Sequence, residues 1–220
     1  MAPRRPTTRP RATAPRAPPR AIPRTRLDVD ARRAQLIALG LEVFSGRAYD
    51  EVSIDEIARS AGISKGLLYH YFSTKRGFYV AAIREAARRL VEETRTDPND
   101  SPLARLHAGL DAYLSYVARH GPAYAALLRG GIGSDPEVAG IVEETRALML
   151  GRMMEDLPVA KRSAFVRAML RGWVGFVEAA ALDWIEHRDV GAQALRDGMV
   201  DVLLVALRIS ASELETADKP

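Results

Sequence analysis

Residues Ser53 to Lys75, SIDEIARSAGISKGLLYHYFSTK, constrain the chain more than any other stretch. Ser53 is a good helix N-cap, and Glu56 follows at the capping-box spacing. Ile54, Ile57 and Ala58 recur at helical intervals and give one apolar face. Gly62 stops that helix, because glycine accepts the positive φ that the residue after a helix end often requires. Ser64 caps a second short helix, Lys65 to Tyr71, with Leu68 and Phe72 facing inward. Lys65, Gly66, Leu67, Tyr69, His70 and Tyr71 are left facing out or at the edges. The pattern predicts a helix-turn-helix whose second helix can enter a DNA major groove. An ordinary hairpin buried in a bundle is the bland alternative. Two tyrosines, a histidine and the lysines 65 and 75 make poor core but good phosphate and base contacts.

Charge is unevenly placed along the 220 residues, and this matters more than the net +4. Residues 1–26 hold eight arginines, seven prolines and no acid; taking those eight from 32 leaves 24 basic against 28 acidic residues. The basicity belongs to the N-terminal segment. That segment, 1–27, carries too little apolar surface to offset its ordering entropy and is expected to be disordered. Two readings stay open for it: a solvated leader, or a basic arm that follows phosphates beside the DNA-binding unit. With no cysteine, disulfides and thiolate metal sites are excluded. No apolar run is long enough for a membrane span, and no signal-peptide pattern is seen, so a cytoplasmic, nucleoid-associated protein without membrane contact is expected.

Helical periodicity continues on both sides of the motif. Asp28 or Asp30 opens a first helix to about Ser45, with Leu36, Ile37, Gly40, Leu41 and Phe44 inward. Thr74 caps a longer helix running to about Thr94. Beyond Pro102 the pattern is wholly helical. One helix ends at His120-Gly121, Pro122 opens another that stops at Gly130-Gly131, and Asp135-Pro136 starts the next. Two long helices follow, about Val159–His187 and Val190–Ile209. The expected organisation is an all-α chain. Residues 28–90 form a three-helix DNA-binding domain with its motif at 53–72, 91–212 form a helical bundle, and 213–220 form a tail.

Residues 31–83 resemble the N-terminal domain of the TetR family, the tetracycline-repressor-like bacterial regulators. The resemblance rests on Phe44, Tyr49, Val52-Ser53-Ile54, Glu56-Ile57-Ala58, Ala61 through Gly66, Leu68 through Phe72, and Lys75. It departs from the family at Ala48, where a glycine is usual, and at Ser53, where a threonine is usual. It implies that Tyr69, Tyr71 and Lys75 contact the DNA backbone, joined by phosphate contacts from the Ser53 and Ser64 hydroxyls. Lys65 is the best-suited side chain for a guanine edge. Leu67 or His70 could meet a thymine methyl or base edge, and Gly66 lets the backbone come close.

The C-terminal half offers two further expectations. The Val159–His187 helix is apolar on two sides, which suggests a partner for the face holding Phe165, Met169, Gly172, Phe176 and Ala179, with Leu203 and Leu207 from the last helix. A homodimer of this kind would read a palindromic double-stranded operator; a buried monomer core is the alternative. Tyr113, Tyr116, Tyr124, Leu127, Leu128, Met149, Met153, Trp173 and Phe176 could be plain core, or could line a cavity for a small effector, as the resemblance implies. No concentrated charge was evident among these helices, which favours an apolar or acyl-type effector. His107 and His120 show no metal-ligand spacing, and no clustered catalytic set or cofactor motif is visible. The chain reads as a regulator, most simply a ligand-released repressor, with an effector-independent DNA-binding or architectural protein as the rival; an enzyme is not expected.

Overall fold

The computed structural model describes residues 29–44, 47, 49–129, 135–157 and 162–208. Eight α-helices and no strands occur among them: α1 (Val29–Val43), α2 (Ile54–Ser60), α3 (Lys65–Tyr71), α4 (Lys75–Glu93), α5 (Pro102–Arg129), α6 (Pro136–Glu155), α7 (Ala164–His187) and α8 (Ala192–Leu207). A single 3-10 turn, Tyr49–Glu51, precedes α2. The N-terminal arm, the tail at 213–220, Asp28, Ser45, Ala48 and the Gly130-Gly131 stop lie outside the described residues.

Small polar residues set most of the helix starts. The Ser53, Ser64, Thr74 and Ser163 hydroxyls accept from the backbone N–H groups of Glu56, Leu67, Gly77 and Val166 at 2.9–3.2 Å. Each such cap stabilises its helix by about 1 kcal/mol. The Ser163 cap starts α7 at Ala164; Val159, from which the periodicity suggests a helix, and Ile209, where the last one is expected to end, lie outside the described residues. At α5 the sequence predicts two helices, and the span Pro102–Arg129 is indeed two helical segments that meet at a kink. His120 leaves helical geometry (φ −117°, ψ 19°) just ahead of Pro122, which lacks an N–H to continue the ladder.

Two apolar cores result. The first joins Leu36, Ile37, Phe44, Ile57, Leu68, Phe72 and Phe78 from α1 to α4, and it also takes in Val138 and Ile141 from α6. The second joins Leu110, Leu114 and Val117 of α5 to Leu170, Trp173 and Val177 of α7 and Met199 and Leu203 of α8. Helix α4 serves both, since its Phe78 is fully buried in the first while Leu90 packs on the second. The recognition motif and the bundle therefore share a helix.

Candidate nucleic-acid interface and internal cavity

The α2–α3 turn closes by backbone hydrogen bonds. Gly62 N–H donates to Arg59 O at 3.1 Å and Ile63 N–H donates to Ala58 O at 3.0 Å, with Gly62 at φ +63°. This is a Schellman stop, and it requires a residue that tolerates left-handed φ. Leu68 is fully buried and Phe72 nearly so, which fixes α3 against α1, α2 and α4. The opposite face is open. Ser64, Lys65, Gly66, Leu67, Tyr69 and His70 are exposed, while Tyr71 and Lys75 are half-buried. Leu67 and Tyr69 each keep 40% of their surface in water and are open to a partner. A Cβ at Gly66 would come no closer than 4.0 Å to Ser64 Oγ, so packing does not require glycine there.

Electrostatic contacts hold this surface in place. Lys65 Nζ sits 3.0 Å from Asp55 Oδ2, so the exposed lysine is already steered by α2. The Lys75 ammonium lies 4.0 Å from the centroid of the Tyr49 ring, which itself packs edge-on against Tyr79. Glu56 takes a side-chain hydrogen bond from Arg47 and a second from the Ser53 backbone, and these lower its carboxyl pKa below the ordinary value. Capping by Ser53 and Ser64 spends only a lone pair. Each hydroxyl proton remains available to a phosphate oxygen.

A second set of contacts ties α4 to α6. Arg76 grips Asp135 with two hydrogen bonds, 2.6 and 2.8 Å long, and also reaches Glu137 at 3.1 Å. Arg84 approaches Glu137 from one side at 3.5 Å. The guanidinium bonds, with help from the Glu137 and Val138 backbone, pull the Asp135 carboxyl down to about 2.

Between the two cores lies a cavity of about 860 Å³, within the range of small-molecule sites. Helices α4, α5, α6, α7 and α8 form its wall, with Ala38, Leu41 and Phe44 closing the end toward α1. Tyr113, Tyr116, Tyr124, Leu127, Leu128, Met149, Met153 and Trp173 all line it. Phe176 does not: it lies on the outer side of α7, 41% exposed, and its place in a cavity is corrected. Tyr113 and Tyr124 hydrogen-bond phenol to phenol, and Tyr116 donates to Ala86 O at 3.0 Å. Burial raises the pKa of all three, that of Tyr116 to about 12, so they act as neutral donors.

The cavity is also more charged than the sequence suggested. Arg105, Arg146, Arg152, Asp156 and Glu178 reach its wall. Arg146 makes two hydrogen bonds to Glu178, 2.8 and 2.6 Å, and one to Glu143. These residues were missed because each sits inside an otherwise apolar helical face, where a single charge reads as solvation. Arg146, Met149 and Met153 at spacings of three and four were the available signal. Among the described residues no group of three or more His, Cys, Asp or Glu side chains could hold a metal, and no helix is long and apolar enough to cross a membrane.

On the outside of the bundle, α7 and α8 leave a strip uncovered. Phe165 is 54% exposed; Gly172, Phe176 and Ala179 are exposed, and Met169 is half-buried. On α8 it is Val202 and Val205, the latter 78% exposed, that face out. Leu203 and Leu207 are almost fully buried and line the cavity, so they are unavailable to a partner, a second correction to the sequence reading.

Comparison with known proteins places both halves. Residues 36–82 match the family model described as bacterial regulatory proteins, tetR family, and residues 102–206 match that for the tetracyclin repressor-like C-terminal domain. A TetR-family transcriptional regulator from Streptomyces coelicolor of known structure is 33% identical, with 84% of each chain covered and a TM-score of 0.74. The HTH-type transcriptional activator FasR of Mycolicibacterium smegmatis is 33% identical over 124 residues, 54% of this chain and 55% of that protein. The transcriptional regulator AcuR of Cereibacter sphaeroides is 33% identical over 140 residues, 62% of this chain and 63% of that protein. The matches to these two curated relatives thus span less than two thirds of their lengths. Fold, motif geometry and similarity across both halves agree: the chain belongs to the TetR family of bacterial transcriptional regulators.

Proposed function

We propose that the protein is a ligand-responsive DNA-binding regulator that holds a palindromic operator as a dimer and releases it when a small apolar or acyl-type effector fills the cavity. The observation that carries this reading is the exposed face of α3, with Lys65, Leu67, Tyr69 and His70 open above a fully buried Leu68. Lys65 reads a base edge, Leu67 and His70 meet neighbouring bases, and Tyr69, Tyr71, Lys75, Ser53 and Ser64 hold phosphates. The exposed strip of α7 and α8 pairs with its copy across a two-fold axis and sets two recognition helices about one DNA turn apart, or a multiple of it.

Release follows from differential affinity. An effector that fits the cavity only when α4 and α6 have moved shifts the population toward a geometry in which the two recognition helices no longer match the operator. The cavity supports this over an effector-independent architectural role, since it shares α4 with the recognition unit. Fluorescence anisotropy with operator DNA, titrated with medium- and long-chain amphiphiles, tests it. At least one such ligand is expected to weaken operator binding in a saturable way. Cavity binding with no change in DNA affinity would contradict the coupling.

A further inference from the structure

Only one buried side-chain polar atom lacks a hydrogen-bond partner among the described residues, and it is Arg105 Nε. Buried N–H donors are nearly always satisfied, so an orphan in a cavity wall marks the place of a missing acceptor. Arg105 projects from α5 and spends its Nη2 on Asp156, 2.5 Å away at the end of α6. One helical turn earlier on α6, four residues before Asp156, stands Arg152, on the same face. Arg152 Nη1 donates to the Val91 carbonyl of α4 at 3.0 Å, and among the described residues no carboxylate pairs with it. Both guanidiniums and Asp156 line the cavity. In this corner of the cavity wall two guanidiniums thus face one carboxylate.

The other polar groups of the cavity do not offer this. Arg146 is matched by Glu178 and Glu143, Arg89 by Glu85, Arg95 by Glu92 and Arg119 by Glu93, and the paired phenols of Tyr113 and Tyr124 carry no charge. An anion placed beside them would lose its hydration without gaining a free cation. At Arg105 and Arg152 it would satisfy the buried Arg105 Nε and neutralise the surplus charge.

We propose that the Arg105–Arg152 corner is an anion subsite, and that the effector is an amphiphile whose carboxylate or phosphate end docks there while its apolar body occupies the rest of the cavity. This rests on the reading of the cavity as the effector site, and adds to it the charge and the orientation of the ligand. A neutral molecule of the same length leaves the two guanidiniums without a counter-charge and binds more weakly.

Calorimetric titration of the full chain with dodecanoate, dodecyl phosphate and dodecanol tests the subsite. Wild-type protein is expected to bind at least one of the two anions about tenfold or more tighter than the alcohol. Whichever anion is tighter identifies the source of the charge. Arg152→Met, which breaks no ion pair among the described residues, is expected to bring the anion within about threefold of dodecanol and to leave dodecanol unchanged. Arg152→Lys is expected to recover part of the preference. Should Arg152→Met fail to fold, the wild-type comparison together with Arg152→Lys still decides. Dodecanol binding as tightly as both anions, or an unchanged preference in Arg152→Met, overturns the subsite and leaves the cavity reading standing. Failure of all three ligands to bind overturns the cavity reading and the subsite together.

Discussion

Asp135 and Arg76 form a two-pronged ion pair, 2.6 and 2.8 Å long, that joins the start of α6 to the start of α4. The same carboxylate accepts from the Glu137 backbone N–H at 3.0 Å and from Val138 N–H at 3.4 Å, so one side chain both starts α6 and tethers it. Helix α6 walls the cavity, and α4 follows directly on the recognition helix. Asp135→Asn keeps a capping oxygen and removes the ion pair. Operator affinity without ligand is expected to stay near wild type, while the ligand-induced loss of affinity shrinks about fivefold or more. Anisotropy titrations with and without ligand check this; an unchanged ligand response would show that the tether does not couple the two sites.

Acid should weaken the same region. Asp135 and Glu85 are both held down to about 2, Asp135 by Arg76 and Glu85 by Arg88, with Arg89 adding to the latter. A carboxyl whose folded-state pKa lies below its unfolded value adds stability that is complete above the unfolded pKa. That stability is lost as the pH falls through the folded one. Resistance to urea is therefore expected to hold from pH 7 to about pH 5 and to decline toward pH 2. Glu85→Gln should be less stable than wild type at pH 7 and lose less on acidification. Parallel pH profiles for the two proteins would contradict the assignment.

Two glycines carry different structural loads, and alanine separates them. At Gly62 the backbone sits at φ +63° with open space where a Cβ would go, so Gly62→Ala costs about 1 kcal/mol through strain alone. At Gly40, a Cβ would lie 2.8 Å from Cζ of the fully buried Phe78, and Gly40→Ala is expected to cost about 1–3 kcal/mol through overpacking. Urea denaturation measures both. A stabilised Gly40→Ala protein would mean that α1 can withdraw from α4 freely.

Most of the first domain was legible in the sequence because its signals are local. Ser53, Ser64, Thr74 and Gly62 each set a cap or a stop from neighbouring residues, and the structure follows them closely. The interruption at His120 was legible for the same reason, since Pro122 has no N–H with which to continue the ladder. Leu203 and Leu207 were assigned outward because helical periodicity identifies apolar faces but not what each one meets. Arg105 and Arg152 went unnoticed for a related reason: the surplus charge appears only once α5 and α6 are brought together, and no spacing along either helix encodes it.

The exposed strip on α7 and α8 should govern assembly. Wild-type protein is expected to sediment at twice the 24.1 kDa of one chain. Val205→Asp, at a site 78% exposed within one chain, should shift it toward monomer without unfolding it. It should also weaken operator binding, since a single recognition helix makes half the contacts. A monomeric wild type at micromolar concentration would remove the basis for a palindromic operator.

The most direct test of the account is footprinting of the purified protein on genomic DNA, repeated with Lys65→Ala and Lys75→Ala. The wild type is expected to protect a few palindromic sites, bound about a thousandfold or more tighter than bulk DNA at physiological salt. Lys65→Ala should blur the sequence preference, whereas Lys75→Ala should weaken all sites alike. Uniform binding without discrete footprints, or identical losses in both variants, would contradict recognition through α3.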